Sequence, residues 1–282
     1  MLLKKVVYFI LFLTILPVEV LAAGISVDAG LTPAEDRWMF RTQFRYMKRN
    51  DDPTSNSREM DRYIWNNVLA YGVRPDLTLI LKQPIIYREM TISSVTNEDR
   101  GFADTTIIAK YRVYRKNTPN YTLGVASTLG LELPTGANAF TSETWDLIPG
   151  LYASWRTSSW SSDFSFSYAW NGFSDDGIGG KNPGDELSLD WALAYQITLG
   201  NNAEMSLFPV VELSYKKISK DSLNGSNVAN TGESVLYVSP GVKFAKSSFI
   251  IESLIQIPVT QDQEGIQLKR GFGSIIGIRY LF

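Results

Sequence analysis

Residues 37–47 read RWMFRTQFRYM, and their side chains alternate in character with a period of two. One set is mostly aromatic and comprises Trp38, Phe40, Thr42, Phe44 and Tyr46. The other set is largely basic and comprises Arg37, Met39, Arg41, Gln43 and Arg45. Because successive side chains of a strand point to opposite sides, the stretch predicts a β-strand with an apolar outer face and a basic inner face.

The same alternation recurs along the rest of the chain, most clearly over 104–114, 160–170 and 186–199. We predict about twelve strands of ~10 or more residues, the length a tilted strand needs to cross a bilayer. Their expected bounds are 36–47, 60–71, 75–86, 102–115, 121–132, 146–157, 160–171, 185–199, 203–217, 233–245, 247–258 and 270–282. An even number is typical of bacterial outer-membrane barrels. The pattern therefore predicts an all-β, antiparallel, up-and-down transmembrane β-barrel.

The predicted connections alternate between long and short. The short ones are Gly72–Arg74, Lys116–Asn120, Ser158–Ser159, Gly200–Asn202 and Lys246. The long ones are Lys48–Glu59, Tyr87–Gly101, Leu133–Trp145, Gly172–Gly184, Ile218–Gly232 and Val259–Lys269. Short periplasmic turns and long external loops are typical of outer-membrane barrels, whereas a soluble β-sandwich has no reason to alternate in this way.

The first 23 residues, MLLKKVVYFILFLTILPVEVLAA, are ordered like a secretory signal peptide. Two lysines precede an uncharged apolar run, and the small residues Ala22 and Ala23 follow it. The apolar run is much shorter than the ~20 residues of a transmembrane helix. We expect a signal peptide at 1–22, cleaved after Ala22 or alternatively after Ala23, and a barrel over 23–282.

The composition argues against several function classes. The chain has no histidine and no cysteine. It therefore lacks the usual ligands of zinc and copper, and the histidine that activates the nucleophile of known barrel hydrolases. Its 27 basic and 29 acidic residues become 25 and 28 once Lys4, Lys5 and Glu19 are removed, which leaves no basic excess for nucleic acid. We expect no enzyme activity, no cofactor, no metal and no nucleic-acid partner.

Two acidic features could still carry chemistry. Glu186 and Asp190 would share the lumen face, but inward carboxylates among inward basic side chains are more often a charge network than an acid–base pair. The loop containing Asp175, Asp176 and Asp185 is rich in oxygen-bearing side chains, yet it lacks the ordered ligand spacing of an EF-hand. We expect a solvated external loop there.

The inward faces of the predicted strands carry most of the charge. The candidate lumen-lining residues are Arg37, Arg41, Arg45, Lys82, Asp104, Lys110, Arg112, Glu186, Asp190, Glu204, Glu212, Lys216, Lys243, Glu252 and Arg279. They either line a hydrated path for a solute or pair across a filled lumen and make the barrel rigid. Twelve strands lie between filled eight-stranded barrels and open sixteen-stranded porins, so the size leaves both interpretations open.

The last predicted strand reads GFGSIIGIRYLF over 271–282, and its outward face ends with Tyr280 and Phe282. A terminal aromatic strand of this kind resembles the signal recognised by the outer-membrane assembly machinery. We expect Tyr280 and Phe282 to form this signal, with outer-membrane lipid and the assembly machinery as partners.

Three stretches resemble a known family: YGVRPDLTLILKQP (71–84), GFADTTIIAKYRVYR (101–115) and STLGLELPTG (127–136). They are similar to outer-membrane barrels associated with the MetA pathway of phenol degradation, which pair a "KYR" strand with a later Leu-Pro-Thr-Gly. Lys110–Arg112 and Leu133–Gly136 match, whereas Ala103 occupies a position where that family often has glycine. The resemblance implies a barrel for uptake of small, often hydrophobic or aromatic compounds, and it transfers no binding residues.

Three functional hypotheses follow. The first is a channel or transporter for a small solute. The second is a structural or surface-interaction barrel with a plugged lumen and binding external loops. The third, a barrel enzyme, is disfavoured by the missing histidine.

Overall fold

The wall of the protein is one closed antiparallel sheet. The computed structural model describes residues 23–137, 139–173, 177–200 and 205–282. Its elements are β1 (Trp38–Asn50), β2 (Glu59–Arg74), β3 (Leu77–Ile92), β4 (Val95–Phe102), β5 (Thr105–Asn117), β6 (Thr122–Leu133), β7 (Asp146–Arg156), β8 (Trp160–Ala169), a 3-10 turn (Ile178–Gly180), β9 (Lys181–Asn182), β10 (Glu186–Tyr195), β11 (Ile197–Leu199), β12 (Met205–Ile218), β13 (Ser222–Leu223), β14 (Ser226–Asn227), β15 (Glu233–Lys246), β16 (Phe249–Gln263) and β17 (Lys269–Leu281).

Each wall strand pairs with its sequence neighbours, and β1 pairs with β17, which closes the ring. β4 and β5 form one wall strand beside β3, interrupted at residues 103–104, and β10 and β11 form another beside β12. The described residues therefore build the predicted twelve-stranded barrel. Among them, no helix is long and apolar enough to span a membrane.

The two faces of the wall have the predicted characters. Outward side chains such as Phe44 and Trp65 are about half exposed, whereas the inward Arg41 and Gln43 are buried. This separation follows from the alternating sequence, because apolar groups favour lipid and charged groups are expensive there. Both ends of the ring, Trp38 and Leu281, lie at the end that carries the short turns.

One predicted loop is wrong. Residues 87–101 do not form a long loop: β3 continues to Ile92, β4 begins at Val95, and the two join through Ser93 and Ser94. Both serines have positive φ angles, 48° and 71°, the backbone of a tight two-residue hairpin turn. The hairpin was missed because its strands extend beyond the apolar band, where the alternation of apolar and polar side chains stops.

Smaller corrections concern other connections. Lys246 ends β15, and Ser247 and Ser248 form the turn. The predicted loops 172–184 and 218–232 contain β9, β13 and β14, which pair as a small separate sheet. The predicted signal peptide 1–22, Asp175, Asp176 and Glu204 lie outside the described residues.

Candidate functional site in the barrel lumen

Residues 23–33 lie inside the barrel and not in its wall, and we call this segment the plug. It enters from the short-turn end, where the hydroxyl of Thr32 donates a hydrogen bond of 3.1 Å to the carbonyl oxygen of Pro75 in the β2–β3 turn. Farther in, Ala23, Ile25 and Val27 are at most 1% exposed. The lumen is therefore occupied by the protein's own chain.

One side of the plug is held by two buried carboxylates. Glu212 of β12 is fully buried and accepts hydrogen bonds from the backbone amides of Ile25 and Ser26 and from the Ser26 hydroxyl. Asp163 of β8, also fully buried, accepts a hydrogen bond of 2.5 Å from the amide of Ala23. A segment inside a barrel that does not pair with a strand needs such acceptors, because a buried amide without a hydrogen-bond partner costs free energy.

The apolar side chains of the plug pack against the same side of the lumen. Ala23, Ile25 and Val27 join one buried cluster with residues of β10, β12, β15, β16 and β17. These wall residues are Ala192, Ala194, Phe208, Val210, Ala245, Ile250, Leu254 and Ile275. Burying an isoleucine or valine side chain contributes roughly 1.5–3 kcal/mol. We call this side the anchoring side.

Asp28 faces the opposite side of the lumen, which is basic. Its carboxylate lies 3.6 Å from the guanidinium of Arg41 on β1 and 3.5 Å from the ammonium of Lys82 on β3. Burial raises the pKa of Asp28, but the neighbouring Lys82 and Arg41 outweigh it and hold that pKa well below its usual range. Asp28 is therefore ionised at neutral pH.

Two further cations of the basic side contact the plug. Lys110 of β5 donates a hydrogen bond to the carbonyl oxygen of Ala29, and Arg112 donates one of 3.0 Å to the hydroxyl of Thr32. Gly30 lies so close to the wall that a β-carbon there would be 2.8 Å from the carbonyl oxygens of Gly124 and Tyr152. Only glycine fits this approach, so the plug has a defined path.

Other predicted lumen residues pair within the wall or near the plug. Glu252 and Arg279 form a buried ion pair of 2.9 Å, and Gln43 donates hydrogen bonds both to Glu252 and to the carbonyl oxygen of Ile25. Arg45 donates to the side-chain oxygen of Gln43. These residues support the plug through a connected hydrogen-bond network.

Of the remaining predicted residues that the structure describes, Lys243 contacts the plug and the others lie away from it. Glu186 pairs with Lys216 at 2.5 Å, and Asp190 accepts hydrogen bonds from Ser165 and Ser214. Lys243 donates a hydrogen bond of 2.5 Å to the carbonyl oxygen of Ala23. Arg37 precedes β1 and is exposed.

Asp104 has a separate role at the long-loop end. It lies between β4 and β5, and its carboxylate accepts hydrogen bonds of 2.8 Å from the amide of Gly136 and 2.7 Å from the amide of Ser142. Thr135 adds hydrogen bonds to Thr105. Asp104 thus fixes the loop after β6 to the wall.

The basic side extends towards the long-loop end as a row of arginines. On the inward face of β1, Arg41, Arg45 and Arg49 follow at intervals of four residues. Arg62 of β2 and Arg88 of β3 lie near Arg49, at the end of this row that is nearest to the long loops. Arg49 pairs with Glu233 and Arg88 with Asp99, whereas Arg62 has no carboxylate within ion-pair distance among the described residues. The arginines of this group therefore outnumber their acidic partners.

A cavity remains between the plug and the basic side. Its volume is about 60 Å³, which is room for a handful of waters. Its lining combines apolar side chains, including Leu31, Val68 and Ile108, with charged ones.

Three of these residues are not among the candidates predicted from the sequence. Ser26 and Asp28 precede the first predicted strand, and Asp163 is one of several polar residues within the predicted strand 160–171. The alternation of Ile25 and Val27 with Ser26 and Asp28 is the one local pattern that could have suggested a two-sided segment.

Comparison with known proteins identifies the family. The family described as "Putative MetA-pathway of phenol degradation" matches residues 61–250, about two thirds of the chain. The chain belongs to this family. A comparison with curated proteins gave no match.

Solved structures share the fold of the protein. The COG4313 outer membrane channel from Pseudomonas putida F1 superposes with a TM-score of 0.70 at 12% identity, over 92% of this chain and 100% of that chain. The β domain of the Bordetella autotransporter BrkA gives a TM-score of 0.52 at 10% identity, over 88% and 100%. At these identities the likeness shows the fold, and the protein is an outer-membrane β-barrel.

The MetA-pathway family match includes the motifs that suggested the resemblance, and the structure brings two of them together. The Leu-Pro-Thr-Gly turn, residues 133–136, packs on Asp104 and Thr105 of the Gly-Phe-Ala-Asp-Thr stretch. Ala103 is buried beside Phe140 in a small apolar cluster. The alanine thus contributes to packing at a position where we expected glycine to be common in the family.

Proposed function

We propose that the protein is an outer-membrane channel for a small solute and that the plug closes its lumen in the state described. The observation that carries this proposal is that a charged lumen is filled by residues 23–33, which are not part of the wall. If the signal peptide is cleaved as the sequence predicts, this segment is tethered at one end only and can leave without unfolding the wall. Membership of the MetA-pathway family further supports a small, hydrophobic or aromatic solute.

The contacts of the plug are compatible with release. Most are hydrogen bonds between side chains of the wall and its backbone, and after release water replaces them on both partners. At the short-turn end, Ala34 and Glu35, which follow the plug, are exposed.

The test compares conductance in planar bilayers with and without the plug. Deletion of Gly24–Pro33 keeps the predicted cleavage site, and we expect it to convert small or intermittent currents into a steady, larger conductance. Gly30→Val should do the same through steric conflict with Gly124 and Tyr152. Heat-modifiable gel mobility checks that each variant still forms the barrel.

A matched control removes an external feature of similar size. Deletion of the β13–β14 hairpin, residues 222–227, in the protein with an intact plug should leave its conductance unchanged. If the plug deletion folds and still carries no current and no solute flux, the channel proposal is wrong.

A surface-interaction barrel is the second candidate, and one observation favours it. The small sheet of β9, β13 and β14 ties two long loops together and leaves Leu223 exposed at its tip. Loss of a binding phenotype on deletion of residues 222–227, with flux unaffected even after plug removal, would favour this function.

Catalysis has little support in the geometry of the described residues. Glu186 is paired with Lys216, and Asp190 is held by Ser165 and Ser214, so the two carboxylates predicted to share a face are each engaged separately. Lipid or peptide hydrolysis by the pure protein, lost on replacement of Glu186 or Asp190, would revive this function.

A further inference from the structure

The cavity between the plug and the basic side has an unbalanced charge. Among the described residues that line it, four are cationic, Arg41, Lys82, Lys110 and Arg279, and one is a carboxylate, Asp28. Arg279 has a partner behind the lining, Glu252, but Lys110 is bonded to the neutral carbonyl of Ala29. The lining therefore carries more positive charge than its own acidic group neutralises.

The same cavity contains buried donors without acceptors. The Nε atoms of Arg41 and Arg279 and the hydroxyl of Thr78 are buried and have no hydrogen-bond partner among the described residues. All three residues line the cavity. Buried polar groups are normally satisfied, so these three groups are available to bind an acceptor group of a ligand in the cavity.

Asp28 satisfies these groups only loosely. Its distances of 3.5 and 3.6 Å to Lys82 and Arg41 exceed the ~2.7–2.9 Å of a close charge-assisted hydrogen bond. Its side chain is also 35% exposed, whereas Glu212 and Asp163 on the anchoring side are fully buried. Asp28 is thus the most replaceable ionic contact of the plug.

The rest of the lining is apolar. Leu31 and Pro33 of the plug face Met39, Val68, Ile80 and Ile108 of the wall. An apolar surface beside a cluster of donors suits a ligand with an apolar body and one acidic group. The arginine row from Arg49 to Arg41 would attract such an anion from the long-loop end.

We propose that this cavity binds a small organic anion, a carboxylate with an apolar body, and that Asp28 occupies the anion position until the solute replaces it. The proposal rests on the proposed function for its role in transport, but binding itself does not require conduction. The cavity holds only a handful of waters, so a larger ligand must move Asp28 and its neighbours. Binding would thereby loosen the plug on its basic side.

The experiment measures binding of three probes to the purified barrel in detergent by calorimetry. Benzoate carries both features, benzyl alcohol has the apolar body without the charge, and acetate has the charge without the body. We expect benzoate to bind at least about tenfold more tightly than either control, because one hydrogen bond to a charged group contributes that much.

Substitutions test how much each side chain contributes to binding of the anion. Asp28→Asn removes the competing carboxylate and should tighten benzoate binding about fivefold. Arg41→Gln should weaken it about tenfold or more. Lys82→Gln, at a partly exposed position, provides the same test if Arg41→Gln fails to form a heat-modifiable barrel.

Asp51→Asn is the matched control, since it removes one carboxylate from an exposed ion pair with Lys269 on the external rim. It should leave benzoate affinity unchanged. Equal binding of benzoate and benzyl alcohol, or benzoate affinity unaffected by Asp28→Asn and by the Arg41 or Lys82 variants, would overturn the site. Benzoate binding without current in the plug deletion would refute the channel alone, and current without benzoate preference would refute the site alone.

Discussion

The two sides of the lumen hold the plug in different ways. On the anchoring side, Glu212 and Asp163 are fully buried and bind backbone amides, and Ile25 and Val27 pack into an apolar cluster. On the basic side, Asp28 is partly exposed and lies at longer distances from its cations. A plug can therefore be held firmly by its contacts on one side and loosely by its contacts on the other. This difference predicts which substitutions release it.

The largest effect is expected for Glu212→Ala. It removes the acceptor of two amides, those of Ile25 and Ser26, and each buried amide without a partner costs about 1–3 kcal/mol. We expect continuous current in planar bilayers where the wild type is mostly closed. Glu186→Ala, which removes a wall carboxylate that does not touch the plug, is the control. A closed Glu212→Ala channel would show that the anchoring side does not hold the plug.

A smaller effect is expected for Ile25→Ala, which leaves a void in the apolar cluster beside Phe208 and Ile275. Such truncations cost about 2–5 kcal/mol, and the plug can recover part of this by repacking. We expect a raised open probability without a change in the size of the open current. Ile276→Ala, on the outer face of the same wall strand, should leave gating unchanged.

An effect weaker than that of Ile25→Ala is expected for Asp163→Asn. If the signal peptide is cut after Ala22, as the sequence predicts, the nitrogen next to Asp163 becomes a charged α-ammonium. A hydrogen bond between charged groups contributes about 1.5–3 kcal/mol, and asparagine keeps only part of it. N-terminal sequencing should begin at Ala23, and open probability should rise modestly. A mature chain that begins at Gly24 would remove the proposed ion pair.

The smallest effect is expected for Asp28→Asn in the absence of ligand. Its ion pairs are long and partly solvated, and such pairs contribute about 0–1 kcal/mol. We expect gating close to that of the wild type in benzoate-free buffer. A gating change as large as that of Glu212→Ala would contradict the distinction between the firmly and the loosely held side.

Much of the wall could be predicted from the sequence, because lipid and water select opposite side chains at alternate positions. Residues 37–47 show this directly, since Phe44 is half exposed on the outside and Gln43 is buried on the inside. The prediction failed at the hairpin of 87–101, where both faces meet water and the alternation carries no information. The charged residues expected in the lumen follow from the same two-residue alternation, and the structure places Arg41, Lys110 and Glu252 there.

The barrel, its number of strands and the charged character of its inner surface follow from the sequence, because they depend on local alternation and on connection lengths. What fills the lumen depends on the tertiary structure. The contacts of the plug join residues up to 220 positions apart, such as Ala23 with Asp163 and with Lys243, and no local pattern records such pairings. The division of the lumen into an anchoring and a basic side likewise depends on which strands the closure of the ring places opposite each other.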